Sequence, residues 1–189
     1  IRKMDREHGP KSAGSLWRYA VRCSAELSKK TAAAIVFFAQ ENHADVIVFE
    51  HLDMKGKIRG NRRMRLHMWK KRGVQETSAY MAHRKGMRIA RVCAWKTSAL
   101  AYDGSGKVER DPDNHSLCTF TSGKRYNCDL SASYNIGARY FIRELTKPMP
   151  ATAWSVLEAE VPAVRRRSSC VHADLVRLNA AMRENGWTA

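Results

Sequence analysis

Two acidic residues occupy positions where carboxylates commonly do chemistry. Glu50 follows the apolar run VIVF, and Asp129 directly precedes an apolar helical pattern that begins at Leu130. Carboxylates at such positions can hold Mg²⁺ ions about 3.5–4 Å apart, which stabilise the attacking and leaving oxygens of a phosphodiester. Each residue also has a structural interpretation, because Asp is a favoured N-cap and a strand can end on a solvent-facing Glu. The spacing alone leaves both interpretations open.

Positive charge surrounds one of these carboxylates. The chain of 189 residues has 34 Lys and Arg against 18 Asp and Glu, a net charge of +16. Such an excess on a globular composition favours a polyanionic partner, most commonly nucleic acid. The densest part of it follows Glu50 and consists of Lys55, Lys57, Arg59, Arg62, Arg63, Arg65, Lys70, Lys71 and Arg72. We predict that these residues and Lys124 bind nucleic acid and guide a strand toward the carboxylates, the alternative being a solvated basic face.

Hydrophobic periodicity predicts the elements that position these residues. They are, in chain order, a helix over 15–42, a strand over 44–50, a helix over 65–85, a strand over 87–92, an insertion over 97–114, a hairpin over 118–128, a helix over 130–145, and one or two short helices beyond 150. A long helix followed by a buried strand indicates an α/β fold. The run VIVF predicts a strand buried on both faces.

The first long helix has one apolar face in this prediction. Its members recur every three or four residues: Leu16, Ala20, Cys23, Leu27, Thr31, Ala34 and Phe38. Ser15 is the expected N-cap.

Three segments resemble one protein family. The segment VIVFEHLDMKGKIRG resembles the second RuvC motif of the TnpB (OrfB) proteins encoded by insertion sequences. TSALAYDGSGKV and CTFTSGKRYNCDLSASYNIGARYFIREL resemble the family's C-terminal block, in which D-x-S/N-A-x-x-N-I is the third RuvC motif. The family is related to type V CRISPR effectors and cuts DNA guided by an RNA.

The resemblance implies a fold, a cofactor and a site. It implies an α/β, RNase H-like (RuvC) nuclease domain over 1–146, incomplete at its N-terminus, and a helical basic tail over 147–189. Glu50 and Asp129 would be the second-motif and third-motif ligands of Mg²⁺, for which Mn²⁺ can substitute, and Arg125 would hold the scissile phosphate. The partners would be DNA and a guide RNA, and two-metal hydrolysis would leave 5′-phosphate and 3′-hydroxyl ends.

The sequence departs from the family pattern at its first acidic ligand. No Asp in a G-x-D-x-G context precedes the long helix, and Asp5 lies in the different context KMDREHG. We therefore expect the front of a larger protein to be missing and this chain alone to be a weak or inactive nuclease. A catalytically inactive nucleic-acid-binding remnant of a transposase is the alternative function.

A second departure concerns zinc. Many relatives carry a ribbon with two C-x-x-C pairs, which suits tetrahedral Zn²⁺, whereas residues 101–104 here are AYDG. Cys118 and Cys128 are ten residues apart with His115 as a third donor, so we expect a metal-free hairpin, with 97–128 replacing the ribbon. Cysteines without a disulfide framework favour a reducing cytoplasm, and the apolar run 32–39 is too short to span a bilayer. The sequence does not indicate an oligomeric state.

Overall fold

The chain is a mixed α/β protein with small sheets. The structure, a computed structural model, describes residues 2–9, 13–51 and 71–187. The described residues divide into two compact units, one comprising those up to Ile47 together with 71–89, the other comprising 48–51 and 90–187.

The first unit is mainly helical. It contains α1 (Arg2–His8), α2 (Gly14–Glu41) and α3 (Lys71–His83). The prediction of a long helix over 15–42 is confirmed to within one residue at each end. The predicted helix over 65–85 is confirmed from residue 71 to residue 83, and its first six residues lie outside the described part of the chain.

The face that α2 buries differs from the predicted one. The buried residues are Ser24, Ser28, Ala32, Val36 and Ala39. The helical period was predicted correctly but its phase was wrong, because small side chains form the strip that allows a neighbouring helix to approach closely. The larger apolar residues of the predicted face, Leu16, Leu27 and Phe38, are exposed.

The N-cap prediction for α2 is also wrong. Ala13 precedes the helix and provides no side-chain cap, whereas Ser15 lies inside the first turn. The helix therefore begins two residues too early for Ser15 to be its N-cap.

The strands β1 (Val46–His51) and β2 (Arg88–Cys93) form a two-stranded sheet. The backbone N–H of Arg88 donates to the carbonyl of Asp45 at 2.8 Å. Both predicted strands are confirmed to within two residues. The prediction that β1 is buried on both faces is wrong within the described residues, because all its residues as far as Glu50 are only half-buried in this narrow sheet.

The second unit begins with a small antiparallel sheet. Its strands are β3 (Glu109–Arg110), β4 (Leu117–Thr119) and β5 (Arg125–Asn127), with β4 in the centre. Gly123, in the turn between β4 and β5, has a φ of 82°, a conformation that favours glycine. The predicted hairpin over 118–128 is therefore confirmed.

Helices form the rest of the second unit. They are α4 (Cys128–Thr146), α5 (Ala151–Glu160), a 3₁₀ segment over Pro162–Ser169 and α6 (His172–Glu184). Their shared core includes the fully buried side chains of Ile142, Leu157, Val164 and Leu178. The predicted boundary between domain and tail, after residue 146, lies within the second compact unit. Within the described residues, no helix is long and apolar enough to cross a membrane.

Candidate functional site

Glu50 lies at the end of β1, where its carboxylate is held by a neighbouring side chain. Its Oε1 accepts a short hydrogen bond from the hydroxyl of Thr97, which is itself only 2% exposed. The same hydroxyl lies 3.3 Å from the carbonyl oxygen of Ala94, so it is fixed from two sides. The orientation of a half-buried carboxylate is therefore set by a buried threonine that follows β2.

Asn135 on α4 holds the segment that carries Thr97. Its Nδ2 donates to the carbonyl oxygens of Thr97 at 3.0 Å and Leu100 at 2.9 Å. Its Oδ1 accepts from the backbone N–H of His172 at 3.1 Å. Because Asn135 is fully buried, these bonds satisfy groups that would otherwise lie unpaired in the interior.

Arg139 follows one turn later on α4 and is only 2% exposed. Its Nε donates to the carbonyl of Cys170 at 3.0 Å, and its Nη1 donates to the carbonyl of Cys93 at 2.6 Å. Burial lowers the pKa of the guanidinium, and the negative charge of Glu50 is among the interactions that oppose this shift. Its buried Nη2 has no hydrogen-bond partner among the described residues.

These two side chains belong to a polar ladder along α4. The ladder consists of Ser131, Asn135, Arg139 and Arg143, spaced four residues apart. Ser131 Oγ accepts from the N–H of Tyr102 at 3.3 Å, and Arg143 Nη1 donates to the carbonyl of Arg91 at 3.0 Å. The ladder thus ties one face of α4 to the main chain from β2 to Tyr102. The ladder was not predicted, although the four-residue spacing of its polar side chains is visible in the sequence.

Asp129 is the second residue of α4 and is exposed. The interpretation of Asp129 as the N-cap is wrong, because Asn127 fills that role: its Oδ1 accepts from the N–H of Asp129 at 2.9 Å and of Leu130 at 3.0 Å. The Asp129 carboxylate has no hydrogen bond or ion pair within the described residues. It lies where the dipole of α4 favours a negative charge.

Glu50 and Asp129 belong to the same compact unit and are linked through α4. Glu50 bonds to Thr97, whose carbonyl accepts from Asn135, and Asn135 lies about 9 Å further along the helix axis than Asp129. In the part of the chain that the structure describes, no group of three or more His, Cys, Asp and Glu residues could hold a metal ion. The role of Glu50 and Asp129 as paired metal ligands stays a prediction.

Arg125, the predicted phosphate contact, forms an ion pair in the hairpin. Its Nη2 lies 2.5 Å from Oδ2 of Asp111, and its side chain is largely exposed. Hydrogen bonds from the backbone N–H groups of Asn114 and Asp113 lower the pKa of Asp111, and the charge of Arg125 adds to this effect. A phosphate would have to compete with Asp111 for Arg125.

The predicted basic segment is only partly within the described residues. Its members Lys55, Lys57, Arg59, Arg62, Arg63, Arg65 and Lys70 lie outside them. Lys71 and Arg72 are the first two residues of α3. Lys124, in the hairpin turn, is exposed and donates from Nζ to the hydroxyl of Tyr102 at 2.6 Å.

The cysteines considered for zinc lie in a small apolar core. Cys118 and Cys128 are both buried there beside Ala101 and Phe120. Burial, and then the adjacent thiol of Cys128, raise the pKa of Cys118 to about 11. His115 is exposed, with Nδ1 3.3 Å from the carbonyl oxygen of Asp111. The expectation of a metal-free hairpin stays a prediction.

Comparisons with known proteins give no match, either to a protein-family model or to a curated protein.

Proposed function

We propose that this chain carries the RuvC-like part of a TnpB-type, RNA-guided DNA endonuclease with an RNase H-like fold. The observation that carries the proposal is the support around Glu50. A carboxylate at a strand end is oriented by the buried Thr97, and Asn135 fixes Thr97 from the helix that also presents Asp129. The resemblance of residues 46–60, 97–108 and 118–145 to the family's motifs supports the same function.

In this proposal Glu50 and Asp129 hold Mg²⁺, since ionised carboxylates are the oxygen ligands that this ion prefers. Bound there, Mg²⁺ would polarise the scissile phosphate and lower the pKa of an attacking water. Thr97 fixes one oxygen of Glu50 and thereby the direction of the other. The N-terminus of α4 stabilises the negative charge of Asp129. Arg125 would release Asp111, its ion-pair partner, and contact the phosphate instead.

The net charge of the chain indicates the class of substrate. A net charge of +16 favours a polyanion and makes its binding dependent on salt. Residues that neutralise phosphates bind nucleic acid of any base sequence. In this proposal, a guide RNA therefore selects the DNA target by base pairing.

The test maps the metal site on the 189-residue chain. Fe²⁺, used in place of Mg²⁺ with ascorbate and peroxide, cuts a protein main chain close to where it binds. We expect cuts near Glu50 and Asp129 that excess Mg²⁺ suppresses. Glu50→Gln and Asp129→Asn should abolish these cuts and leave DNA binding within about twofold, because neither carboxylate attracts DNA. The matched control Asp113→Asn, another exposed acid, should keep the cuts, and cuts at unrelated positions would contradict the proposal.

A second candidate function is nucleic-acid binding without catalysis, and Arg139 favours it. The buried guanidinium interacts electrostatically with Glu50, so this carboxylate has a structural use as a countercharge. In that case Fe²⁺ directs no cuts in the unmodified chain, although DNA binding is intact. Glu50→Gln then lowers the free energy of unfolding, because the buried guanidinium loses a nearby negative charge.

A further inference from the structure

Aromatic side chains from four parts of the second unit contact one another beside the small apolar core of Ala101 and Phe120. Tyr102 lies at the centre, with its ring centroid 5.3 Å from that of Tyr126, 4.9 Å from that of Tyr134 and 6.0 Å from that of His172. We call these four residues the tyrosine platform. Tyr134 and His172 also contact each other, at 5.4 Å and an interplanar angle of 66°.

Lys124 adds a positive charge to this platform. Its Nζ lies 5.0 Å from the ring centroid of Tyr102 and 4.8 Å from that of Tyr126, and it donates to the hydroxyl of Tyr102. That hydrogen bond raises the pKa of Lys124, so the ammonium is fully charged at neutral pH. The exposed lysine is thus fixed above two rings rather than extended into solvent.

Tyr134 is the member of the platform that solvent reaches most. Its ring is tilted by only 34° against that of Tyr102, close to an offset stack, yet the residue is 44% exposed. A large aromatic ring that is held on one side and exposed elsewhere is suited to stack a further planar group. Tyr134 lies about 7–8 Å along α4 from Asp129, as five residues of helix require.

We propose that the tyrosine platform binds single-stranded nucleic acid, with one base stacked on Tyr134 and an adjacent phosphate paired with Lys124. Stacking platforms beside cations are the usual device of proteins that bind single strands. The chain's net charge of +16 disfavours a cationic partner and suits a polyanion. The inference rests on the proposed function for its partner class, but it needs neither a metal nor catalysis.

The same contacts also hold the hairpin against α4, so the test must separate binding from stability. Tyr134→Leu keeps an apolar side chain at an exposed position but removes the ring. Its control is Phe141→Leu, since Phe141 is also on α4 and is 54% exposed. For charge, Lys124→Gln is compared with Lys147→Gln, an exposed lysine directly after the other end of α4.

The measurement is the affinity of the chain for single-stranded oligodeoxyadenylate and for oligoadenylate over a range of salt concentrations. Tyr134→Leu should weaken binding about tenfold at every salt concentration, since a stacked base contributes without releasing counterions. Lys124→Gln should reduce the magnitude of the negative slope of log K against log salt by about 0.7, the value for one phosphate of a single strand. Phe141→Leu and Lys147→Gln should leave both the affinity and the slope unchanged. Unequal losses for the two oligonucleotides would identify DNA or RNA as the preferred strand.

Three outcomes would overturn the proposal. Tyr134→Leu could leave binding unchanged, as Phe141→Leu does. It could also lower the melting temperature so far that unfolding accounts for the weaker binding. An oligoglutamate peptide could also bind with the same dependence on Tyr134, which would indicate an acidic protein partner. The metal-directed cuts near Glu50 and Asp129 are unaffected by Tyr134→Leu, so failure here is distinguishable from failure of the nuclease proposal.

Discussion

Replacing Asn135 by Ala tests whether α4 and the Thr97 segment form one unit. The substitution removes two donated bonds and one accepted bond, and it leaves the carbonyls of Thr97 and Leu100 and the N–H of His172 without this partner. Each buried group left unpaired costs about 1–3 kcal/mol. Water can reach the two partly buried contacts, so we expect a total loss of about 3–5 kcal/mol, a large part of the stability of a small domain.

Amide hydrogen exchange read by mass spectrometry measures this loss locally, which is necessary because the chain has two compact units and need not unfold in one step. Peptides covering α4 and residues 97–102 should exchange about 100- to 4000-fold faster, since about 1.4 kcal/mol corresponds to a factor of ten. Peptides from α2 should change little. Asn185→Ala is the control, because the Asn185 side chain bonds to Glu160 at the surface and should cost less than about 1 kcal/mol. Equal effects of the two substitutions would refute the role assigned to Asn135.

The titratable groups give two further predictions. Burial raises the pKa of Cys118 and Cys170 to about 11, so about one of these thiols in a thousand is ionised at pH 8. Both should therefore resist alkylation in the folded chain, while the exposed Cys93 reacts. Mass spectrometry before and after denaturation checks this, and equal labelling of Cys93 and Cys118 would contradict it. Hydrogen bonds lower the pKa of Asp111 below its ordinary value of 3.8. The ionised carboxylate therefore contributes its full stabilisation of the hairpin above pH 3.8. This stabilisation is lost as the pH falls through the lower pKa of the folded state. The amide proton shift of Asn114 should therefore titrate with a midpoint below 3.8 and stay constant in Asp111→Asn, and a midpoint at or above 3.8 would exclude the predicted stabilisation.

Local sequence patterns were enough to predict most of the elements. The helical period over 15–42, the run VIVF and the turn residues of the hairpin each specify one conformation through neighbouring residues. The position of Glu50 at the end of a strand was predicted for the same reason. These features depend on contacts within a few residues along the chain.

Features that depend on packing were predicted less well. The buried face of α2 was predicted in the wrong phase, because periodicity marks the large apolar residues but not the Ser and Ala strip on which α2 packs. Capping of α4 was one of two interpretations of Asp129, but Asn127, two residues earlier, is the N-cap. Both residue types are favoured N-caps, and only the backbone geometry distinguishes them.

The candidate site shows the same division. The sequence by itself determined which residues carry charge: a strand-end Glu50, an Asp129 near a helix start, and a basic chain that suits a polyanion. Only the tertiary structure decided that Thr97 orients Glu50, that Asn135 fixes Thr97, and that Tyr102 contacts Tyr134, His172 and Lys124. These partners lie 22 to 70 residues apart along the chain. Hydrogen bonds and ring contacts of this kind form only when folding brings distant segments together, so no local pattern could specify them.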